Sequence, residues 1–141
     1  MKRATSILLL LAMILALVNP TNAAVITEPQ ISPLYINAET VTTDISISST
    51  GVAAIVLNVS GYANVERISV TTYIEKYNYG MWVRVNIGTT NNEWTYTYNG
   101  QAMRKMYSYK LSSSGQYRAV SLFTLTGDTT ETLTVSDYTS F

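Results

Sequence analysis

The chain has no cysteine and no histidine. The first absence removes disulfides, thiolate metal sites, cysteine nucleophiles and a lipoprotein anchor together. The second removes histidine triads, histidine metal ligands and the one side chain that ordinarily titrates near neutral pH. Charge is sparse too: Lys and Arg total 9 and Asp and Glu total 9, so the formal net charge is zero. No run of Lys or Arg marks a nucleic-acid or membrane-surface patch. Helical periodicity is missing as well, since no stretch after Leu34 repeats apolar residues at three-and-four spacing. A small domain of this composition is held by packing and sheet hydrogen bonds alone.

The N-terminus is a case apart. Met1-Lys2-Arg3 is a short positive start, Ile7 to Val18 is an uncharged apolar run, and Asn19-Pro20 breaks it ahead of Thr21-Asn22-Ala23. That order is the three-part layout of a secretory signal peptide. As a helix the run rises only ~18 Å, too little for a hydrocarbon core of ~30 Å, so an uncleaved anchor is the weaker reading. We expect residues 1–23 to be a signal peptide, 24–33 an extended leader and 34–141 one folded domain, giving a secreted protein that leaves the membrane after cleavage. Pro29 and Pro33 keep the leader out of a helix.

From Leu34 onward the dominant period is two. Asp44–Ser48 alternates, Ser49-Thr50-Gly51 turns, and Val52–Ser60 returns with Ala53, Ile55, Leu57 and Val59 on one face. Arg67–Lys76, a turn at Tyr77–Gly80 and Met81–Ile87 form the clearest hairpin. Trp94–Tyr98 is strand-like and ends on the tight-turn pair Asn99-Gly100, Met106–Leu111 fits a short strand, and Gln116–Leu125 turns through Thr126–Thr130 into Glu131–Tyr138. Thr, Ser and Tyr are abundant throughout, as strands favour. Seven or eight evenly spaced strands suit an all-β antiparallel sandwich or a small barrel. The predicted core is Ile45, Ile47, Ile55, Leu57, Val59, Ile68, Val70, Ile74, Tyr117, Ala119 and Phe123. An outer-membrane barrel fits poorly, because the strands are short and Asp137 interrupts any lipid-facing side.

The stretch Leu111–Val120, LSSSGQYRAV, separates sandwich from barrel. Leu111, Gly115, Tyr117 and Ala119 match the strand-entry corner of an immunoglobulin-like or fibronectin-like sandwich, where an inward Tyr bonds backbone a few residues upstream. Ala119 stands where antibody domains place a disulfide cysteine. More widely, the signal-like start, ISP, DISISSTG, a strand ending NVSGY, the GMWVRV hairpin and the G-x-Y strand together resemble a family of small exported all-β proteins of anaerobic Gram-positive bacteria, a domain of unknown function. That resemblance implies a compact secreted bacterial domain and carries no catalytic residue.

Aromatics are the most suggestive chemistry. Trp94, Tyr96 and Tyr98 share one strand face, Tyr73 points away from the Ile68/Val70/Ile74 side, and Trp82 is opposite Val83 and Val85 in parity. Exposed together, these five would form a flat platform for a sugar ring or a partner's side chains. Buried, they would simply fill the core. For catalysis only carboxylates remain. Glu66 and Glu75 on one strand lie ~30 Å apart by strand rise, far beyond the separation of a glycosidase pair, and Glu93 has no marked partner. Thr126–Glu131 lacks the ligand run of a calcium loop. The reading is therefore a non-catalytic, cofactor-free interaction or adhesion domain, not an enzyme. Its partner would be a cell-surface protein or polysaccharide, not nucleic acid. A carbohydrate-binding module is the alternative and a hydrolase the weaker third.

Overall fold

The structure is a computed structural model and describes residues 35–141. The expected signal peptide and leader lie outside the described residues. Eight strands follow in order: β1 Ala38–Ile47, β2 Val52–Gly61, β3 Arg67–Asn78, β4 Met81–Arg84, β5 Trp94–Asn99, β6 Ala102–Lys110, β7 Gln116–Thr126 and β8 Thr130–Ser140. They make two antiparallel sheets. One is three-stranded, β1-β2-β6, and the other runs β4-β3-β7-β8 with β5 also on β3. β5 pairs residues 67–72 of β3 and β4 pairs 75–78, so one edge of β3 is shared by two short strands.

Strict alternation explains the layering. Along β2, Ala53, Ile55, Leu57 and Val59 are buried, and along β3 Ile68, Val70 and Ile74 are. β7 adds Tyr117, Ala119, Phe123 and Leu125 to the same interior. Burying a Leu, Ile or Phe side chain is worth ~1.5–3 kcal/mol, so a cluster of this kind stands in for the missing disulfide. The predicted core is observed, with Ile47 only partly buried at the end of β1. Four buried positions among the described residues are polar, Asn37, Thr43, Thr72 and Ser121, and the Thr72 hydroxyl donates to Ser121 across β3 and β7 at 3.0 Å.

The corner holds as the spacing requires. Tyr117 is 2% exposed, and its hydroxyl donates to the Ser113 carbonyl at 2.5 Å. Together with the strand order, this makes the fold an immunoglobulin-like sandwich. Phe141 extends the ladder by exchanging both backbone bonds with Gly115, and its ring lies over Gly51, where a Cβ would meet ring carbons at 2.8 Å.

Several elements differ from the sequence reading. β1 starts six residues before Asp44, and β6 starts at Ala102 rather than Met106. The hairpin turn is not Tyr77–Gly80 but the two residues Tyr79 and Gly80, at φ 47° and 87°. Two left-handed residues are what a tight turn between twisted strands demands. β4 stops at Arg84 instead of Ile87, and Met81 and Val83 stay exposed at the protruding end of the hairpin. Asn99-Gly100 does turn the chain, but it carries the chain from one sheet to the other, because β5 pairs β3 and β6 pairs β2.

The two long sides of the sandwich are closed differently. On one, β8 carboxylates reach the unpaired edge of β1. Glu131 accepts from the N–H groups of Ile36, Asn37 and Ala38 at 3.0, 2.8 and 3.3 Å, and Asp137 accepts from Ile45 at 2.9 Å. On the other, β5 and β6 are joined by aromatic rings.

Candidate functional site

The five sequence-selected aromatics do not share a surface. Parity divides them. On the outer face of the five-stranded sheet, opposite the core, stand Tyr73 and Trp82. Facing inward from β5 stand Trp94, Tyr96 and Tyr98, because their partners across the ladder are the buried Thr72, Val70 and Ile68. A single platform of all five is therefore not formed. Two aromatic groups replace it.

The outer group is built on register. Trp82 sits opposite Tyr77, Glu75 lies between Arg84 and Arg118, and Arg118 lies opposite Tyr138. The Trp82 ring is tilted against Tyr77 at 5.2 Å and meets Tyr138 edge-on at 5.7 Å. The Arg118 guanidinium covers that ring at 4.6 Å and donates through Nε to Glu75 at 2.6 Å. Arg84 lies 3.6 Å over the Tyr73 ring, so Tyr73 serves as its seat. Cation–π contacts and the ion pair hold the long side chains in place and lower the entropy lost on binding. Tyr138 is 57% and Tyr77 42% exposed, and Leu122 continues the face at 42%. Hydrogen bonds from Ser136 and Arg118 hold the Tyr138 phenol below the ordinary tyrosine range. A shallow recess beside it is lined by Trp82, Gln116, Tyr138 and Ser140.

The lateral group closes the β5–β6 side. Trp94 stacks on Tyr107 with centroids 5.0 Å apart and planes at 8°, and Tyr109 meets Trp94 edge-on at 6.5 Å. Lys105 lies 4.3 Å from the centre of Tyr96. The Tyr109 hydroxyl donates to the Asn86 carbonyl at 2.7 Å, fastening the chain after β4 to β6. Trp94 and Tyr96 thus pack against the core, as strand aromatics commonly do, while Tyr98 is 40% exposed with its ring over Gly100. Burial, with Tyr96 beside it, pushes the Tyr107 phenol up. Its oxygen is enclosed without a hydrogen-bond partner among the described residues.

Sequence reasoning missed Tyr77, Arg118 and Tyr138 on the outer face and Tyr107 and Tyr109 on the lateral side. Parity was the available signal for the first set: Tyr77 shares its face of β3 with Tyr73, and Arg118 alternates with Tyr117 and Ala119. Among the described residues no three or more Asp or Glu side chains gather where they could hold a metal ion.

No family model and no curated protein matches the chain. Among solved structures it is similar to the CARDB domain of the PF1109 protein from Pyrococcus furiosus, solved in complex with di-metal ions. Identity is 14%, the match covers 79% of this chain and 96% of that one, and the TM-score is 0.45.

Proposed function

We propose that this chain is an exported, non-catalytic binding domain that engages a cell-surface protein through the outer face of its five-stranded sheet. The observation that carries the reading is the Trp82 cluster: two exposed tyrosines, a half-buried tryptophan and an arginine already immobilised by Glu75. Trp, Tyr and Arg are the residue types that dominate binding energy at protein interfaces, and rigid ones lose least on association. The uncharged apolar run at Ile7–Val18 behind a short basic start supports export. The resemblance to small secreted Gram-positive domains points the same way.

Site-specific photocrosslinking tests it. A benzophenone side chain replaces Tyr138 in one protein and Tyr62, exposed in the loop after β2, in another. On intact producing cells the Tyr138 probe is expected to give a discrete protein adduct that Trp82→Ala abolishes, while the Tyr62 probe gives none. Adducts from Tyr62 alone, or adducts indifferent to Trp82, would refute the assignment.

A further inference from the structure

The lateral side carries a second concavity that the outer face does not use. Thr89, Thr90, Glu93, Trp94, Thr95 and Tyr107 line a cleft of about 470 Å³, within the ~300–1,000 Å³ span of small-molecule sites. Its apolar wall is the Trp94–Tyr107 stack, with centroids 5.0 Å apart and planes at 8°. Thr90 opens the 3₁₀ turn Thr90–Asn92, in which Asn91 and Asn92 hold left-handed φ of 56° and 55°.

That turn is fixed from several directions. Arg84 donates to the Asn91 carbonyl at 3.2 Å, the Asn92 side chain accepts from the Ile87 N–H at 3.2 Å, and Thr89 donates to the Glu93 carbonyl at 2.7 Å. Asn tolerates the left-handed region better than other non-glycine residues, and these hydrogen bonds hold the turn in it. The turn is therefore preorganised, and a ligand does not have to order it.

Charge selects the ligand class. Glu93 is the only carboxylate lining the cleft, and one of its oxygens is matched by Arg84 at 3.2 Å. Lys105 stands 5.7 Å from the Tyr107 ring behind the stack. With its carboxylate neutralised and an ammonium nearby, the cleft offers little to a cation despite its aromatic wall. An anion would face the second Glu93 oxygen, which Arg84 does not contact. What remains is an uncharged ligand with hydroxyl donors for the second Glu93 oxygen, hydroxyl partners for Thr90 and Thr95, and an apolar ring face for the aromatic wall. We propose that this cleft binds a neutral glycan unit, with C–H groups against the Trp94–Tyr107 wall and a hydroxyl donating to Glu93.

The cleft shares Arg84 with the outer face but not Trp82, so the test removes Trp82 first. In a Trp82→Phe protein Trp94 is the single tryptophan, and its fluorescence reports on the cleft alone. The probes are neutral hexasaccharides of glucose, mannose, galactose and N-acetylglucosamine, with hexagalacturonate and tetramethylammonium as charged counterparts. At least one neutral hexasaccharide is expected to give a saturable shift of Trp94 emission. Glu93→Gln should weaken it about tenfold, the loss of one charge-assisted hydrogen bond. Thr90→Val, a conservative change on the exposed turn, should weaken it less and keep the far-ultraviolet dichroism of the parent. No response to any neutral sugar, a stronger response to either charged probe, or a response untouched by both substitutions would overturn the proposal.

Discussion

Glu131→Ala should be among the most damaging single substitutions of a charged residue in this protein. Its carboxylate is the acceptor for three successive backbone donors at the entry to β1, and two of them belong to fully buried residues, Asn37 at 0% and Ala38 at 1% exposure. The Ile36 N–H lies near solvent and can turn to water. The other two lose their acceptor in an enclosed place, where each unsatisfied donor costs about 1–3 kcal/mol. Partial water entry reduces the sum, so about 3 kcal/mol is expected. A domain of this size has only ~5–15 kcal/mol of total stability. With a urea m-value of ~1.5 kcal/mol per molar, the midpoint should fall by about 2 M. Glu131→Gln should lie between parent and Ala, because the amide keeps one acceptor but turns a donor toward donors. Urea unfolding followed by circular dichroism gives the midpoints, and amide hydrogen exchange at Asn37 and Ala38 locates the effect. A midpoint within ~0.5 M of the parent, or unchanged protection of those two amides, would refute the role assigned to the carboxylate.

Two further perturbations probe the interior and the outer face. Tyr117→Phe removes the hydrogen bond to the Ser113 carbonyl without emptying the core, and should cost about 1 kcal/mol, or roughly 4 °C in the thermal midpoint. An unchanged midpoint would mean the corner hydroxyl is ornamental. In an alkaline titration followed by phenolate absorbance, Tyr138 should ionise first, assigned by its loss in Tyr138→Phe, and Tyr107 late. The signs follow from linkage. The depressed Tyr138 group adds stability as pH climbs through its folded value toward that of the unfolded chain. The raised Tyr107 group removes stability once pH passes the unfolded tyrosine value. Ionisation of Tyr138 together with the bulk of the tyrosines would show that Arg118 and Ser136 do not act on it.

Legibility in the sequence followed the strength of alternation. β2, β3 and β7 carry mostly apolar residues at their inward positions, with Thr72 and Ser121 the polar exceptions, so their faces and the core were plain. The first half of β1 was not, because its inward residues are Ala38, Val41 and Thr43, small or polar, with an irregular register between Ala38 and Thr40. β6 was obscured in the same way by Met103, Lys105, Tyr107 and Tyr109, a mixture suited to an edge. The aromatic platform failed for a different reason. Parity within a strand was right for Trp94, Tyr96, Tyr98, Tyr73 and Trp82 alike. What the sequence does not encode locally is which side of the sheet each strand turns inward once it joins a neighbour. β5 pairs β3 in register with its buried residues, and only that long-range choice sends Trp94 into the sandwich while Trp82 stays outside.

The carboxylate bridges between β8 and β1 have a mechanical meaning. Contacts from Glu131 at the start of β1 and Asp137 near its end show the two strands running in the same direction, side by side. Tension applied between Tyr35 and Phe141 would pull the front of one strand against the back of the other. The load would then fall on all the bridges at once, sliding the strands lengthwise instead of peeling them apart one bond at a time. A surface domain held at one end and gripping a partner would gain from that arrangement. Its resistance to force would rest on side-chain bridges, those of Glu131, Asp137 and Asn37 among them, rather than on a covalent cross-link.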